Sequence, residues 1–136
     1  MRPTAFCAFP AKPKGSSMIQ IVIPFPPSVN RLWRTTKTGG MLRSREYTVW
    51  RKEASWAIAV QSRGYHIAGP FKMTLLVVPP DKRHRDIDNL LKASLDAVAA
   101  SGLIENDRHC RWIEARWVED GAPCTIILEQ IGKQHE

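Results

Sequence analysis

The stretch FKMTLLVVPPDKRHRDIDNLLKASLDAVAA, residues 71–100, decides both the architecture and the chemistry of this chain. Phe71, Met73, Leu75 and Val77 alternate with Lys72 and Thr74, the period of a half-buried strand. Pro79-Pro80 ends it, because proline cannot donate to a ladder. From about Asn89 to Ala100 the period changes. Leu91, Leu95, Ala97 and Val98 fall on one helical arc, Asp88, Lys92 and Asp96 fall on another, and Gly102 closes the helix. Between strand and helix lies the charged loop Asp81–Asp88.

Asp86 and Asp88 flank one apolar residue, so on extended backbone both carboxylates point to the same side. Close carboxylates repel unless a proton or a cation sits between them. Hard oxygen donors of this kind suit Mg²⁺, or Mn²⁺, completed by water and a substrate phosphate. Such an ion activates a bound water and neutralises charge growing on a phosphodiester. Lys92 lies one turn beyond Asp88, with Cβ atoms roughly 5–6 Å apart, and adds a cation there. Asp107, in Glu105-Asn106-Asp107, is placed to return to the same end as a third ligand. The structural alternative is that Asp88 or Asn89 caps the helix, Asp86 pairs with Arg83 or Arg85, and Asp107 initiates a turn. The loop lacks the Gly and distal Glu of an EF-hand. The basic run Lys82–Arg85 beside the acids suits a phosphate-backbone substrate better than a free ion.

Upstream, Ile19, Ile21, Ile23 and Phe25 alternate in a strand from Met18 to Phe25 that Pro26-Pro27 stops. A long basic connection follows, with Arg31, Arg34, Lys37, Arg43 and Arg45 interleaved with Leu32 and Trp33. Thr38-Gly39-Gly40 is suited to turn a small hairpin inside it. Arg45–Arg63 reads as a helix with Tyr47, Trp50, Ala54, Ala57 and Ile58 on one stripe, Trp56 and Val60 beside them, and Gly64 as its stop. Downstream, Arg111–Glu119 and Cys124–Ile131 read as two strands joined by a turn at Asp120-Gly121. The order is strand, basic loop with hairpin, helix, strand, helix, strand, strand. That order predicts an α+β fold, a two-layer domain with helices packed on a mixed sheet. Residues 1–17, rich in Pro, Lys and Ser without periodicity, read as a disordered basic tail, which leaves 18–136 as one domain.

Charge separates along the chain. Residues 1–66 hold eleven Lys/Arg against two Glu, whereas residues 67–136 hold nine against eleven acids. A basic half beside an acidic half fits a polyanion-binding surface with a separate cation-binding centre. Cys7, Cys110 and Cys124 show no zinc spacing. With a turn at Glu119–Ala122, Cys124 falls opposite Trp117 and away from Cys110, so reduced cytosolic thiols are expected. Apolar runs such as Leu75–Val78 are too short to span a bilayer, and the first residues lack an apolar signal core. A cytoplasmic protein with no membrane partner is expected.

Three blocks resemble the RusA family of Holliday-junction resolvases: Pro26-Pro27-Ser28-Val29-Asn30, then Arg85-Asp86-Ile87-Asp88-Asn89-Leu90-x-Lys92, then Gly102-Leu-Ile-Glu-Asn-Asp107. The middle block is the specific one, and the likeness covers roughly residues 18–131. It implies a homodimer that resolves four-way DNA junctions by paired nicks and needs Mg²⁺. It also implies that Asp86, Asp88 and Asp107 are the catalytic acids and metal ligands, with Lys92 as the catalytic lysine. The chain departs from the family pattern at Asn106 and His109, where a second acid and a Gln are usual. The basic residues Arg31, Arg34, Lys37, Arg43, Arg45, Lys82, Arg83 and Arg85 are expected to hold DNA phosphates. A non-catalytic branched-DNA-binding protein is the alternative, although it would need no acid cluster. An enzyme acting on a small phosphorylated molecule is a third reading, unsupported by any Gly-rich phosphate cradle.

The remaining residues have plainer expectations. Asp96 reads as an i,i+4 partner of Lys92 rather than a ligand. His84 and His109 read as exposed, Asn30 as a brace for its loop, and Trp33 as either a base-stacking side chain or a filler under the loop. Trp50, Trp56, Trp112 and Trp117 read as core or dimer interface.

Overall fold

In the computed structural model, which describes residues 18–131, the alternating segments form strands and the helical periods form helices. The elements are β1 (Met18–Ile23), β2 (Trp33–Thr35), β3 (Met41–Arg43), α1 (Arg45–Ser62), β4 (Phe71–Val77), α2 (Leu91–Ala100), β5 (Cys110–Trp117) and β6 (Cys124–Gln130). Three single 3₁₀ turns, Val29–Arg31, Ile87–Leu90 and Asp107–His109, punctuate the loops. The tail 1–17 lies outside the described residues, as do residues 132–136.

The main sheet has the order β1-β6-β4-β5, with β4 and β5 parallel and β6 antiparallel to both its neighbours. The terminal strands are therefore not a hairpin, contrary to the sequence expectation. They lie on opposite sides of β4, where Val77 faces Trp117 across one edge and Cys124 across the other. The physical reason is the apolar face of β4. Phe71, Met73, Leu75 and Val77 are all fully buried, so this strand takes a central place with a neighbour on each side. The connection 118–123 instead hooks over the end of β4. Val118 N–H donates to the Val77 carbonyl at 2.9 Å, and Val78 N–H donates to that of Pro123 at 3.1 Å. Cys110 and Cys124 are both free and lie at opposite ends of β4, so they do not face each other.

One face of the sheet is buried. Ile21 pairs with Ile126 and Leu75 with Ile126, so the inward residues of three strands form continuous rows. Tyr47, Trp50, Ala54 and Ile58 of α1 and Ala93, Ala97 and Val98 of α2 join the same core cluster. This is the expected α+β class with a mixed sheet and two helices. Each fully buried Ile, Leu, Met or Phe contributes roughly 1.5–3 kcal/mol. Gln61, on the last turn of α1, clamps β1 by accepting from Val22 N–H at 2.8 Å and donating to the Val22 carbonyl at 2.7 Å.

Local expectations differ at several ends. α1 turns left-handed one residue before the expected stop, at Arg63 (φ 45°), with Gly64 (φ 83°) continuing the reversal. α2 starts at Leu91 rather than Asn89, because the 3₁₀ turn Ile87–Leu90 precedes it, and no side chain caps it. Trp56 is 71% and Trp112 54% exposed, so neither is core in the single chain, whereas Trp50 is buried and Trp117 half-buried. The turn at Thr38-Gly39-Gly40 closes β2 on β3 as expected. Gly39 adopts φ 92°, which a side chain would strain, and Thr36 N–H donates to the Gly40 carbonyl at 2.8 Å.

Candidate active site

The loop leaving β4 is organised by a carboxylate the sequence analysis assigned no role. Asp81 receives Arg85 on both oxygens, at 2.6 and 3.1 Å, and the Arg83 N–H at 3.0 Å. Those hydrogen bonds, the Arg85 one foremost, hold the Asp81 carboxyl well below the usual carboxylate range, and Asp81 in turn raises the Arg85 pKa. Arg85 also lies over the Phe25 ring at 5.6 Å, and Phe25 stacks on Trp117 at 6.3 Å. The i,i+4 spacing of Asp81 and Arg85 was the available signal.

With Arg83 and Arg85 drawn to Asp81, the alternative pairing of Asp86 with these arginines does not form, and neither Asp88 nor Asn89 caps the helix. Asp86 and Asp88 are both exposed, and neither side chain makes a hydrogen bond or ion pair among the described residues. Asp86 has extended backbone before the 3₁₀ turn, and its side chain forms no cap. The turn replaces the straight extended run assumed from the D-x-D spacing, and half-buried Ile87 packs against the core between the two acids. Two unpaired carboxylates beside a basic loop are hard oxygen donors of the kind that suits Mg²⁺.

The other two motif residues stand apart. Lys92 pairs with Asp96 at 3.4 Å, the partner expected for that lysine, and forms no ion pair with Asp88. Asp107 begins the short 3₁₀ turn before β5. Asn106 supplies that turn's cap by accepting from Arg108 N–H at 2.9 Å, so turn initiation does not occupy the Asp107 carboxylate. Among the described residues no group of three or more acid, His or Cys side chains is gathered to hold a metal ion. Asp107 is thus not brought together with Asp86 and Asp88 within the single chain. His109, half-buried rather than exposed, has Nδ1 3.7 Å from Glu105.

Asp86 opens onto a cleft of about 940 Å³. One wall is the Phe25–Ser28 turn with Arg31. A second is the first half of α1, including Arg45, Glu46, Trp50 and Glu53. The third is Arg83, His84, Arg85, Asn89 and Leu90. Four of the eight expected phosphate-binding residues, Arg31, Arg45, Arg83 and Arg85, therefore share a cleft with Asp86. Arg34, Lys37 and Arg43 stand exposed on the β2–β3 segment, and Lys82 is exposed on the loop. Arg31 lies 3.8 Å from Glu46 in a solvent-exposed pair. The loop wall is braced not by the Asn30 side chain but by two donors. Ser44 Oγ donates to the Arg31 carbonyl at 2.7 Å, and Trp50 Nε1 donates to that of Pro24 at 3.0 Å. The acids of α1 at the cleft were not foreseen, because helix periodicity shows which face is polar but not what that face meets.

Comparison with known proteins bears on this site. The family model described as endodeoxyribonuclease RusA matches residues 24–128. A crossover junction endodeoxyribonuclease RusA of Aquifex aeolicus is 34% identical over 81 residues, covering 60% of this chain and 64% of that protein. That of Enterobacteria phage 82 is 36% identical over 87 residues, 64% of this chain and 72% of the relative. That of Escherichia coli K12 is 34% identical over 87 residues, with the same coverage.

Proposed function

The chain belongs to the RusA family of endodeoxyribonucleases, and on that premise we propose that it is a metal-dependent endonuclease that resolves four-way DNA junctions by paired nicks. The observation that carries the reading is the state of Asp86. It is a carboxylate unpaired among the described residues, in a cleft with Arg31, Arg45, Arg83 and Arg85, while Asp81 holds Arg83 and Arg85, the two arginines nearest to it in sequence. Asp86 and Asp88 would hold Mg²⁺, and Asp107 remains a third ligand on the strength of its place in the motif.

The ion, when bound, supplies Lewis acidity at the scissile phosphate and a more acidic water. The chain supplies position and charge. The cleft arginines bind backbone phosphates on either side of the cut and carry little sequence information. Asp81 fixes the direction of Arg85, and Lys92 supplies a compact cation that meets charge developing on the phosphate. Junction shape and deformability then govern selectivity. A homodimer completes the proposal, because two equivalent sites related by a two-fold axis reach symmetry-related strands of a four-way junction. No helix of the described residues is long and apolar enough to cross a membrane.

The test is incubation with a synthetic four-way junction, a linear duplex and a single strand, each with Mg²⁺ or with EDTA. Symmetric nicks confined to the junction with Mg²⁺ are expected. Junction binding without cutting would make the chain a non-catalytic branched-DNA binder, and cutting in EDTA would remove the metal from the account.

A further inference from the structure

The β2–β3 hairpin is the part of the basic region that the proposed chemistry does not use. Its register pairs Trp33 with Arg43, Arg34 with Leu42 and Thr35 with Met41. Paired residues share a face, so Trp33, Arg43 and Met41 lie on one side and Arg34 and Leu42 on the other. Every residue of both strands is exposed, including Trp33 at 48% and Met41 at 62%.

A two-stranded ribbon is marginal alone, but this one is clamped at its root. Leu32 is buried, and Ser44 N–H donates to the Leu32 carbonyl at 2.9 Å. The Trp33 ring leans edge-on against buried Tyr47, with centroids 6.4 Å apart, and Arg43 lies 5.7 Å from the same Tyr47 ring. The indole is thus held from one side and open to solvent on the other, with a guanidinium beside it. Residues 31–45 contain five Lys/Arg and no acid, and the two that bound the segment, Arg31 and Arg45, line the cleft with Asp86. A charged, aromatic surface of this composition complements a nucleic-acid strand.

We propose that Trp33 is a stacking platform for an unpaired base at the branch point of the DNA, beside the strand that enters the cleft. The inference rests on the junction-cutting reading and adds the side chain that senses the branch. In a linear duplex every base face is covered by its neighbours, so such DNA offers phosphates to the arginines but no face to Trp33. At a branch, or where a strand is splayed, a face becomes available. The arginines then provide general affinity, and Trp33 provides the difference between junction and duplex.

The experiment uses full-length protein carrying Asp86→Asn, so that the DNA stays uncut, with a junction bearing 5-iodouracil at the branch and a matching linear duplex. After irradiation, the cross-linked residue is mapped by mass spectrometry. Binding is measured in parallel for Trp33→Leu and Trp33→Phe in the same background. A cross-link at Trp33 on the junction alone is expected. Trp33→Leu should weaken junction binding about 5- to 150-fold, the range for loss of one stacked base, while linear-duplex binding holds and Trp33→Phe retains most of the junction preference. A cross-link elsewhere, or a Trp33→Leu protein that loses junction and duplex binding equally or neither, overturns the proposal. If Asp86-intact protein cuts junctions while Trp33→Leu keeps full junction preference, only this inference falls. If that protein neither binds nor cuts junctions, the functional reading falls with it.

Discussion

Replacing Lys92 with Met separates a catalytic lysine from a surface ion pair by magnitude. Lys92 is more than half exposed, and among the described residues its only ion pair is the 3.4 Å contact to Asp96 one turn along α2. An i,i+4 pair of that kind contributes about 0.2–0.5 kcal/mol. Losing it costs on the order of 2 °C in Tm for a domain of this size. A cation that meets developing phosphate charge is worth far more. Removing one preorganised group of this sort lowers the rate on the order of 10²–10³, or about 2.7–4 kcal/mol. The assay is single-turnover cleavage of a junction at saturating enzyme, with Tm followed on the same samples. Lys92→Met should lose about two to three decades of rate with little change in Tm or junction binding. Lys92→Arg should rescue poorly, since a planar fork does not reproduce a compact ammonium. Asp96→Asn should keep most of the rate, because it removes the tether and leaves the cation. A folded Lys92→Met protein that cuts at the wild-type rate would refute the reasoning, as would an Asp96→Asn loss as deep as that of Lys92→Met.

Three further outcomes follow from the same geometry. Changing Arg31, Arg34, Lys37 and Arg43 together to Ala should weaken DNA binding and flatten its salt dependence by about 0.9 log units of slope per lost duplex phosphate contact, measured by titration at several salt concentrations. An unchanged slope would mean these charges face only solvent. Asp81→Asn should free Arg85 to compete for the Asp86 carboxylate, raising the Mg²⁺ needed for half-maximal cutting while Tm stays close to that of the wild type, as for any solvent-exposed pair. The same Mg²⁺ dependence as wild type would contradict that role. Burial pushes the Cys124 thiol up to about 12, so the stability gained by keeping it protonated is complete below the ordinary thiol range and lost as pH climbs toward that value. In native protein near neutral pH, thiol reagents should therefore label Cys110, only half-buried at the sheet edge, well before Cys124, and peptide mapping showing equal rates would count against the fold.

The central elements were legible because their periods are clean. The alternation of Phe71–Val77 and the stripe Tyr47, Trp50, Ala54 and Ile58 each report one buried face, and the structure buries those residues. Strand order was not legible. The turn residues Asp120-Gly121 signal a reversal, but whether the next strand pairs with its predecessor depends on which strand has two edges to fill. That was decided by the wholly buried face of β4, a comparison between distant segments. At the site, the D-x-D-N spacing located two free acids, yet it could not show that a 3₁₀ turn would carry Asp88 or that Asp81 would take the arginines. Asp107 marks the limit, since its distance from Asp86 depends on loops and on any partner chain rather than on local pattern.

The most direct test of the account is junction cleavage by Asp86→Asn beside wild type at the same Mg²⁺, with junction binding measured on both. The substitution removes a charge without changing size, and with less negative charge near phosphate, binding should hold or tighten. The account predicts that cutting is abolished while the junction stays bound. Asp86→Asn protein that nicks junctions at the wild-type rate would contradict it, because the unpaired carboxylate in the arginine-lined cleft would then have no part in the chemistry.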